Sequence, residues 1–254
     1  MSRRSMIWTS AIAAGSVLAV LLAWGTLEYA SEYWHEPSPA ARSPSIALEV
    51  KQDPGSQDFY AQFGQDKWII HRVFPGVTDG YFVDIGAGDG IKDSNTKALE
   101  DLGWTGVAIE PFPTNWGSRK CTLFKEVVSS KKGEVVEFRM AGGWGGIDKH
   151  IGKMRNKVQT APLVKLTTTT IGDILERADA PSFIHYVSLD IEGAEYEALK
   201  GFPFSKYKVG AFTIEHNSEE PKRRQIRELL KKNGYRFVRQ RGVDDWYVSD
   251  YERR

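Results

Sequence analysis

The chain has 254 residues, of which 41% are hydrophobic, 26% charged and 12% aromatic; this suffices for one α/β domain and excludes a disordered or collagen-like chain. Its 34 basic residues against 33 acidic ones leave a formal net charge of +1, so no global field draws it to nucleic acid and any anionic ligand must be held locally. One cysteine, Cys121, excludes an internal disulfide and a thiolate zinc cluster.

Residues 1–4 are a short basic segment carrying Arg3 and Arg4, and an uncharged run follows from Ser5 to Leu27. At about 1.5 Å per residue, residues 5–27 are long enough to cross a hydrocarbon core of about 30 Å. Trp8 and Trp24 lie near its ends, and Glu28, Glu32 and Glu36 follow it. Charge on these flanks predicts a single-pass membrane protein with a cytoplasmic N-terminus and the body on the far side. A cleaved signal peptide is the competing reading, disfavoured by the length of the run and the lack of a clean A-x-A site. Residues 28–55 hold Pro37, Pro39, Pro44 and Pro54 among Ser and Ala, which suits an extended tether. The globular domain is expected over residues 56–254.

Within it, strands and helices alternate. Gly80–Ile85 reads as a buried strand, Ser94–Leu102 as a short helix capped by Asp93 or Ser94, and Gly106–Ile109 as a second strand. Cys121–Ser129 reads as a third, followed by Val135–Phe138 and the extended Val164–Thr168. Then come a helix over Ile171–Ala178, a strand at His185–Leu189, a helix at Ala194–Leu199 and a strand at Val209–Ile214. A helix is expected from about Pro221 to Lys232, with Pro in its first turn and Gly234 past its end. Tyr235–Arg239 and Trp246–Val248 suit a closing antiparallel pair. The pattern implies an α/β fold with a mainly parallel central sheet, covered on both faces.

The most informative stretch is Val83-Asp84-Ile85-Gly86-Ala87-Gly88-Asp89-Gly90, a strand running into closely spaced glycines. Such a turn lets a ligand lie against bare main chain. A dinucleotide fingerprint requires Gly where Ile91 stands, and no G-K-[ST] is present for a nucleotide P-loop. Asp84 and Asp89 would repel a pyrophosphate and attract a sulfonium with an α-amino group. Glu110, twenty residues beyond Gly90, ends the second strand where a carboxylate can accept ribose hydroxyls. Adenosine with a cationic tail points to S-adenosylmethionine; a tight turn in another kind of α/β protein is the bland alternative.

Several short motifs resemble, in order, those of the FkbM-type methyltransferases: Gln62-Phe63-Gly64-Gln65-Asp66, the glycine turn, Ser94-Asn95-Thr96, Gly103-Trp104-Thr105-Gly106 leading into Ile109-Glu110-Pro111, and Leu189-Asp190-Ile191-Glu192-Gly193-Ala194-Glu195. The resemblance spans about residues 57–240. It implies a Rossmann-like class I methyltransferase fold and methyl transfer from S-adenosylmethionine to a hydroxyl oxygen, with a sugar, glycan or natural-product hydroxyl as acceptor. The expected cofactor set is Asp84, Gly86, Ala87, Gly88, Asp89, Gly90, Asn95, Glu110 and Ser129, with Ser129 placed where the resemblance puts an adenine contact and helix capping the readier role for Asn95.

Removing the hydroxyl proton needs a base. Candidates at the carboxyl ends of later strands are His216, which titrates closest to neutral pH, Asp190 and Glu192; Glu192 and Glu195 could equally be acids stabilised at a helix N-terminus. Catechol O-methyltransferase looks similar here, and by that likeness Asp190 with Glu215 or Asn217 would hold Mg²⁺. Gly142–Gly146 reads as a mobile lid carrying Trp144, or as a plain flexible loop. The run Lys222, Arg223, Arg224, Arg227, Lys231 and Lys232 reads as a solvated helix face or a contact for anionic lipid headgroups. The leading expectation is a membrane-anchored O-methyltransferase; the alternative is a non-catalytic trafficking module, because Star-type membrane proteins resemble it in joining one N-terminal span to an FkbM-like domain.

Overall fold

The computed structural model describes residues 57–114 and 116–250. The basic segment, the span at 5–27 and the tether at 28–55 lie outside the described residues, and among the described residues no helix is long and apolar enough to cross a membrane.

Hydrophobic alternation builds a seven-stranded sheet. Its strands are β1 (Tyr81–Ile85), β2 (Thr105–Ile109), β3 (Thr122–Phe124), β8 (Phe183–Leu189), β9 (Lys208–Glu215), β10 (Tyr235–Arg241) and β11 (Asp244–Ser249), in the order β10-β11-β9-β8-β1-β2-β3. Five neighbouring strands are parallel, and β11 and β10 close the sheet antiparallel, as the sequence pattern predicts. Val83 and Ile85 face one side with Val107, Ile109, Val187 and Leu189; Phe82 and Tyr186 face the other. Period-two alternation thus gives each face its own apolar layer. Helices α4 (Ile171–Arg177), α5 (Glu195–Lys200) and α6 (Glu220–Lys232) cover the first face, and α1 (Gln65–Trp68) and α2 (Lys97–Asp101) pack on the second. The α4 cap is Thr170, whose hydroxyl accepts from the Asp173 N–H at 3.1 Å.

Cys121–Ser129 is not one strand. It breaks after Phe124, and Val127–Val128 forms β4, which leaves the main sheet for a second one. That four-stranded sheet runs β4-β7-β5-β6, where β5 is Val135–Arg139, β6 Gly146–Ile147 and β7 Leu163–Thr169. Val127, Val136, Phe138 and Ile147 form its own small core, with Ala194 packed among them. The glycine-rich segment expected as a lid or loop is a 3₁₀ turn at Gly142–Trp144 followed by β6. A short α3 (Arg155–Val158) lies between β6 and β7. Both sheets meet at the carboxyl ends of β1, β2 and β8, where the site lies.

Candidate functional site

The glycine turn is pinned from both sides. Asp190 N–H donates to the Ile85 carbonyl at 2.9 Å, and Gly86 N–H to the Ile109 carbonyl at 2.9 Å. Gly86 has φ +86°, and a β-carbon there would lie 1.6 Å from the Asp190 carbonyl oxygen, so only glycine lets β1 turn beneath β8. Gly88 also has positive φ, +56°, but open space on its β side. Its N–H donates to Glu110 Oε2 at 3.1 Å, while Glu110 Oε1 accepts from the Phe112 N–H at 3.0 Å. Burial raises the Glu110 pKa and these two amides oppose the rise. Gly86, Gly88, Glu110, Asp190 and Glu192 line one pocket; Val127, Val128, Phe138 and Ile147 of the second sheet line it too.

The remaining expected cofactor residues are not among those lining the pocket; Asp89, Ala87 and Gly90 shape the turn, and the others lie around it. Asp84 points to the opposite face, buried, and accepts from Thr96 Oγ1 at 2.6 Å; burial raises its pKa, opposed by Arg119. Asp89 Oδ1 accepts from the Ile91 and Lys92 amides at 2.9 and 2.8 Å, an Asx-type cap on the loop. Ala87 supplies the carbonyl that receives Gly90 N–H at 2.8 Å, and Gly90 packs against Trp116. Asn95 is no helix cap: its Nδ2 donates to Ser188 Oγ in β8 at 2.8 Å, and Ser94 Oγ accepts from the Lys97 N–H at 3.1 Å instead. Ser129 N–H joins the second sheet through the Thr169 carbonyl, past the pocket wall.

Sequence reasoning missed Arg119. Its side chain is buried beneath the turn and donates to Glu100 Oε1 at 3.1 Å, the Gly90 carbonyl at 2.7 Å and Thr96 Oγ1 at 2.9 Å. It is the counter-charge to Asp84, and a lone arginine in a loop gives no motif by which to find it.

At the ends of β8 and β9 carboxylates crowd together. One carboxylate oxygen each of Asp190, Glu192 and Glu215 lie within 4.8 Å of one another. Asp190 and Glu215 share a hydrogen bond; burial holds both pKa values well above the usual carboxylate range, Asp244 adding to the rise at Asp190 and Asp190 to that at Glu215. Burial pushes Glu192 up to about 7, while Asn217, whose Nδ2 donates to Glu192 Oε2 at 3.1 Å, opposes it. Asn217 thus adjoins the carboxylate cluster through its amide nitrogen, and Glu192 joins Asp190 and Glu215 in it. Glu195 Oε1 accepts from the Ile191 and Gly193 amides at 3.0 and 2.9 Å and holds the loop after β8. Asp244, pushed up to about 6 mainly by burial, accepts from Gln65 Nε2 at 2.6 Å. The Gln62–Asp66 motif thus docks against this acidic end of the sheet.

His216 stands apart. Its Nδ1 accepts from the Ser218 N–H at 2.9 Å, its Nε2 lies 3.5 Å from Asp245 Oδ1, and it does not line the pocket. Nδ1 is taken by the Ser218 amide, whereas Nε2 is buried with no hydrogen-bond partner; burial lowers the pKa, and the ring lies outside the residues that line the pocket. The basic run is also not uniformly solvated. Arg223 and Arg227 clamp the buried Asp245 at 2.8 and 2.7 Å, and Lys222 Nζ donates to the His150 carbonyl at 2.6 Å.

No curated protein matches the chain. Among solved structures it is similar to the precorrin-6y C5,15-methyltransferase of Geobacter metallireducens, at 13% identity and a TM-score of 0.37 over 72% of this chain and 85% of that one. It is similar also to a Pyrococcus horikoshii protein described as an RNA methyltransferase, at 14% identity and a TM-score of 0.37 over 80% and 91%. A model of the methyltransferase FkbM domain matches residues 84–237, from the acid of the first strand through the closing helix into β10, and the chain belongs to the FkbM methyltransferase family.

Proposed function

We propose that the chain transfers a methyl group from S-adenosylmethionine to a hydroxyl oxygen of a small molecule or glycan. The supporting observation is the Gly86–Gly88 turn, which offers bare backbone to the pocket while Glu110 waits beneath it with lone pairs to spare. These residues fit the cofactor: the open β side of Gly88 admits a close ligand, Glu110 would take ribose hydroxyls, and the apolar wall of Val127, Val128 and Phe138 would take the base. The sulfonium supplies an electrophilic methyl when bound. The chain's own part is to orient the acceptor oxygen toward it and to receive its proton. Glu192 lines the pocket and burial pushes its pKa up to about 7, which suits it to that task, with Asp190 beside it.

Trp144 supports a sugar-like acceptor. It is 49% exposed on the turn whose Gly143 and Gly145 line the pocket, and an indole face suits the apolar face of a sugar ring. The apolar run at 5–27 supports anchoring of the domain to a membrane, with the N-terminus cytoplasmic.

The test is calorimetric titration of the full chain, in mild detergent, with S-adenosylmethionine and S-adenosylhomocysteine. Micromolar binding, weakened about tenfold or more by Glu110→Gln, is the expected result. A folded chain that binds neither compound sinks the reading and favours a non-catalytic module.

A further inference from the structure

Asp190, Glu192 and Glu215 carry three carboxylates on the ends of two adjacent parallel strands. Among the described residues none of the three has a lysine or arginine within ion-pair distance, the Lys157 charge acting on Glu192 only from further off, in contrast to Asp245 on the strand paired with β9, which has two arginines. Negative charge buried without a counter-ion is costly and calls for protons or a cation. A proton shared between Asp190 and Glu215 satisfies one oxygen of Glu215 only. The other, Oε2, is buried with no hydrogen-bond partner, on a side chain whose residue is 6% exposed. An unpaired carboxylate oxygen beside two further carboxylates points to a positively charged ligand that makes no hydrogen bond. Asn217 holds Glu192 through Oε2, the kind of outer contact that orients a ligating side chain.

We propose that Asp190, Glu192 and Glu215 bind one hard divalent cation, Mg²⁺ or Mn²⁺, at the wall of the cofactor pocket. All three donors are carboxylate oxygens, the set that suits such cations over softer ones. Asp190 and Glu192 line the pocket, so coordination positions not filled by the protein open toward it. An acceptor hydroxyl bound there is acidified and held beside the glycine turn. This use of the cation rests on the reading of the pocket as a methyl-donor site; the cation's binding does not.

The experiment titrates the full chain, in mild detergent, with Mn²⁺, following free Mn²⁺ by electron paramagnetic resonance and using Mg²⁺ as competitor. S-adenosylhomocysteine binding is measured on the same samples. The expected result is one Mn²⁺ per chain, displaced by Mg²⁺, with affinity reduced about tenfold or more in Glu215→Gln and in Glu192→Gln. Glu192→Gln, at the pocket wall, keeps the test decisive if Glu215→Gln does not fold. A chain that binds S-adenosylhomocysteine but no Mn²⁺ overturns the cation centre and leaves the cofactor reading standing. Mn²⁺ binding without S-adenosylhomocysteine binding does the reverse. Equal Mn²⁺ affinity in the natural chain, Glu215→Gln and Glu192→Gln marks the ion as adventitious and also overturns the proposal.

Discussion

The Cα of Gly86 lies so close to the Asp190 carbonyl that a single added methyl would reach within 1.6 Å of the oxygen. The cofactor turn and the acidic end of the sheet are thus locked together through backbone alone. Replacing Gly86 and Gly88 should separate two effects. Gly86→Ala must move β1 or β8 and adopt a left-handed conformation, and is expected to cost at least about 2 kcal/mol of stability. Gly88→Ala meets open space, so it should cost about 1 kcal/mol while weakening S-adenosylmethionine binding. Urea denaturation and calorimetry on both variants check this; equal stability loss in the two would contradict the contact.

Glu110→Gln replaces one acceptor oxygen with an amide donor facing either Gly88 N–H or Phe112 N–H. Stability should change by about 1 kcal/mol, whereas affinity for S-adenosylhomocysteine should fall about tenfold or more. An unchanged affinity would remove Glu110 from the ribose site.

Asp245 gathers Arg223, Arg227 and the Tyr247 hydroxyl. Burial alone would raise its pKa, but hydrogen bonds from the two arginines outweigh it and hold the carboxyl below its usual value. The stabilisation is therefore complete above about pH 4 and is lost as pH falls through the lower native value. Asp245→Asn should cost roughly 2–3 kcal/mol at neutral pH, less than for a fully buried pair because Arg227 is 38% exposed. The variant should also lose less stability than the natural chain on acidification below pH 4, as followed by thermal melts.

His185 accepts from the Tyr81 N–H at 3.1 Å and is boxed in by Phe74, Trp104 and Phe183. Burial lowers its pKa, so the unfolded chain takes up its proton first, near pH 6.5. Stability should fall as pH drops from about 7 toward 5, by up to about 1.4 kcal/mol per pH unit for this one group. His185→Asn keeps an acceptor for Tyr81 and should shallow that slope without abolishing it, because burial also lowers His150 and His216. Identical slopes in denaturation series across this range would reject the assignment.

The main sheet was legible because its strands are short and largely apolar, broken by a single polar residue such as Asp84 or Ser188 and closed by glycine or a charged residue, as at Tyr81–Ile85 and Tyr186–Leu189. The glycine turn with Glu110 was legible for the same reason that it matters: few residues can occupy such backbone. The second sheet was not. Nothing between Phe124 and Val127 marks a break, since Lys125 and Glu126 carry no turn chemistry, and the change of sheet is set by β7, nearly forty residues downstream. His216 suits a base by its position after a strand and its near-neutral titration, but that the closing hairpin sets Asp245 Oδ1 3.5 Å from its Nε2 is not written in its sequence neighbours. That Glu192 joins Asp190 and Glu215, and that Asn217 reaches Glu192 across 25 residues, was not legible either, because both sit on left-handed backbone, with φ 56° and 46°, whose direction spacing does not give.

β1 sits near the middle of the sheet, between β2 and β8, although among the described strands it is the first to leave the ribosome. Its hydrogen-bond partner His185 lies 104 residues further along. During synthesis Val83 and Ile85 thus keep one open edge until more than a hundred further residues have been made, a non-local pairing of the kind that slows folding and invites association with other chains. Cofactor-side elements up to Glu110 exist early, whereas Asp190, Glu215 and Asp244 complete the acidic end last. A nascent chain halted between them would hold half a pocket and none of the chemistry.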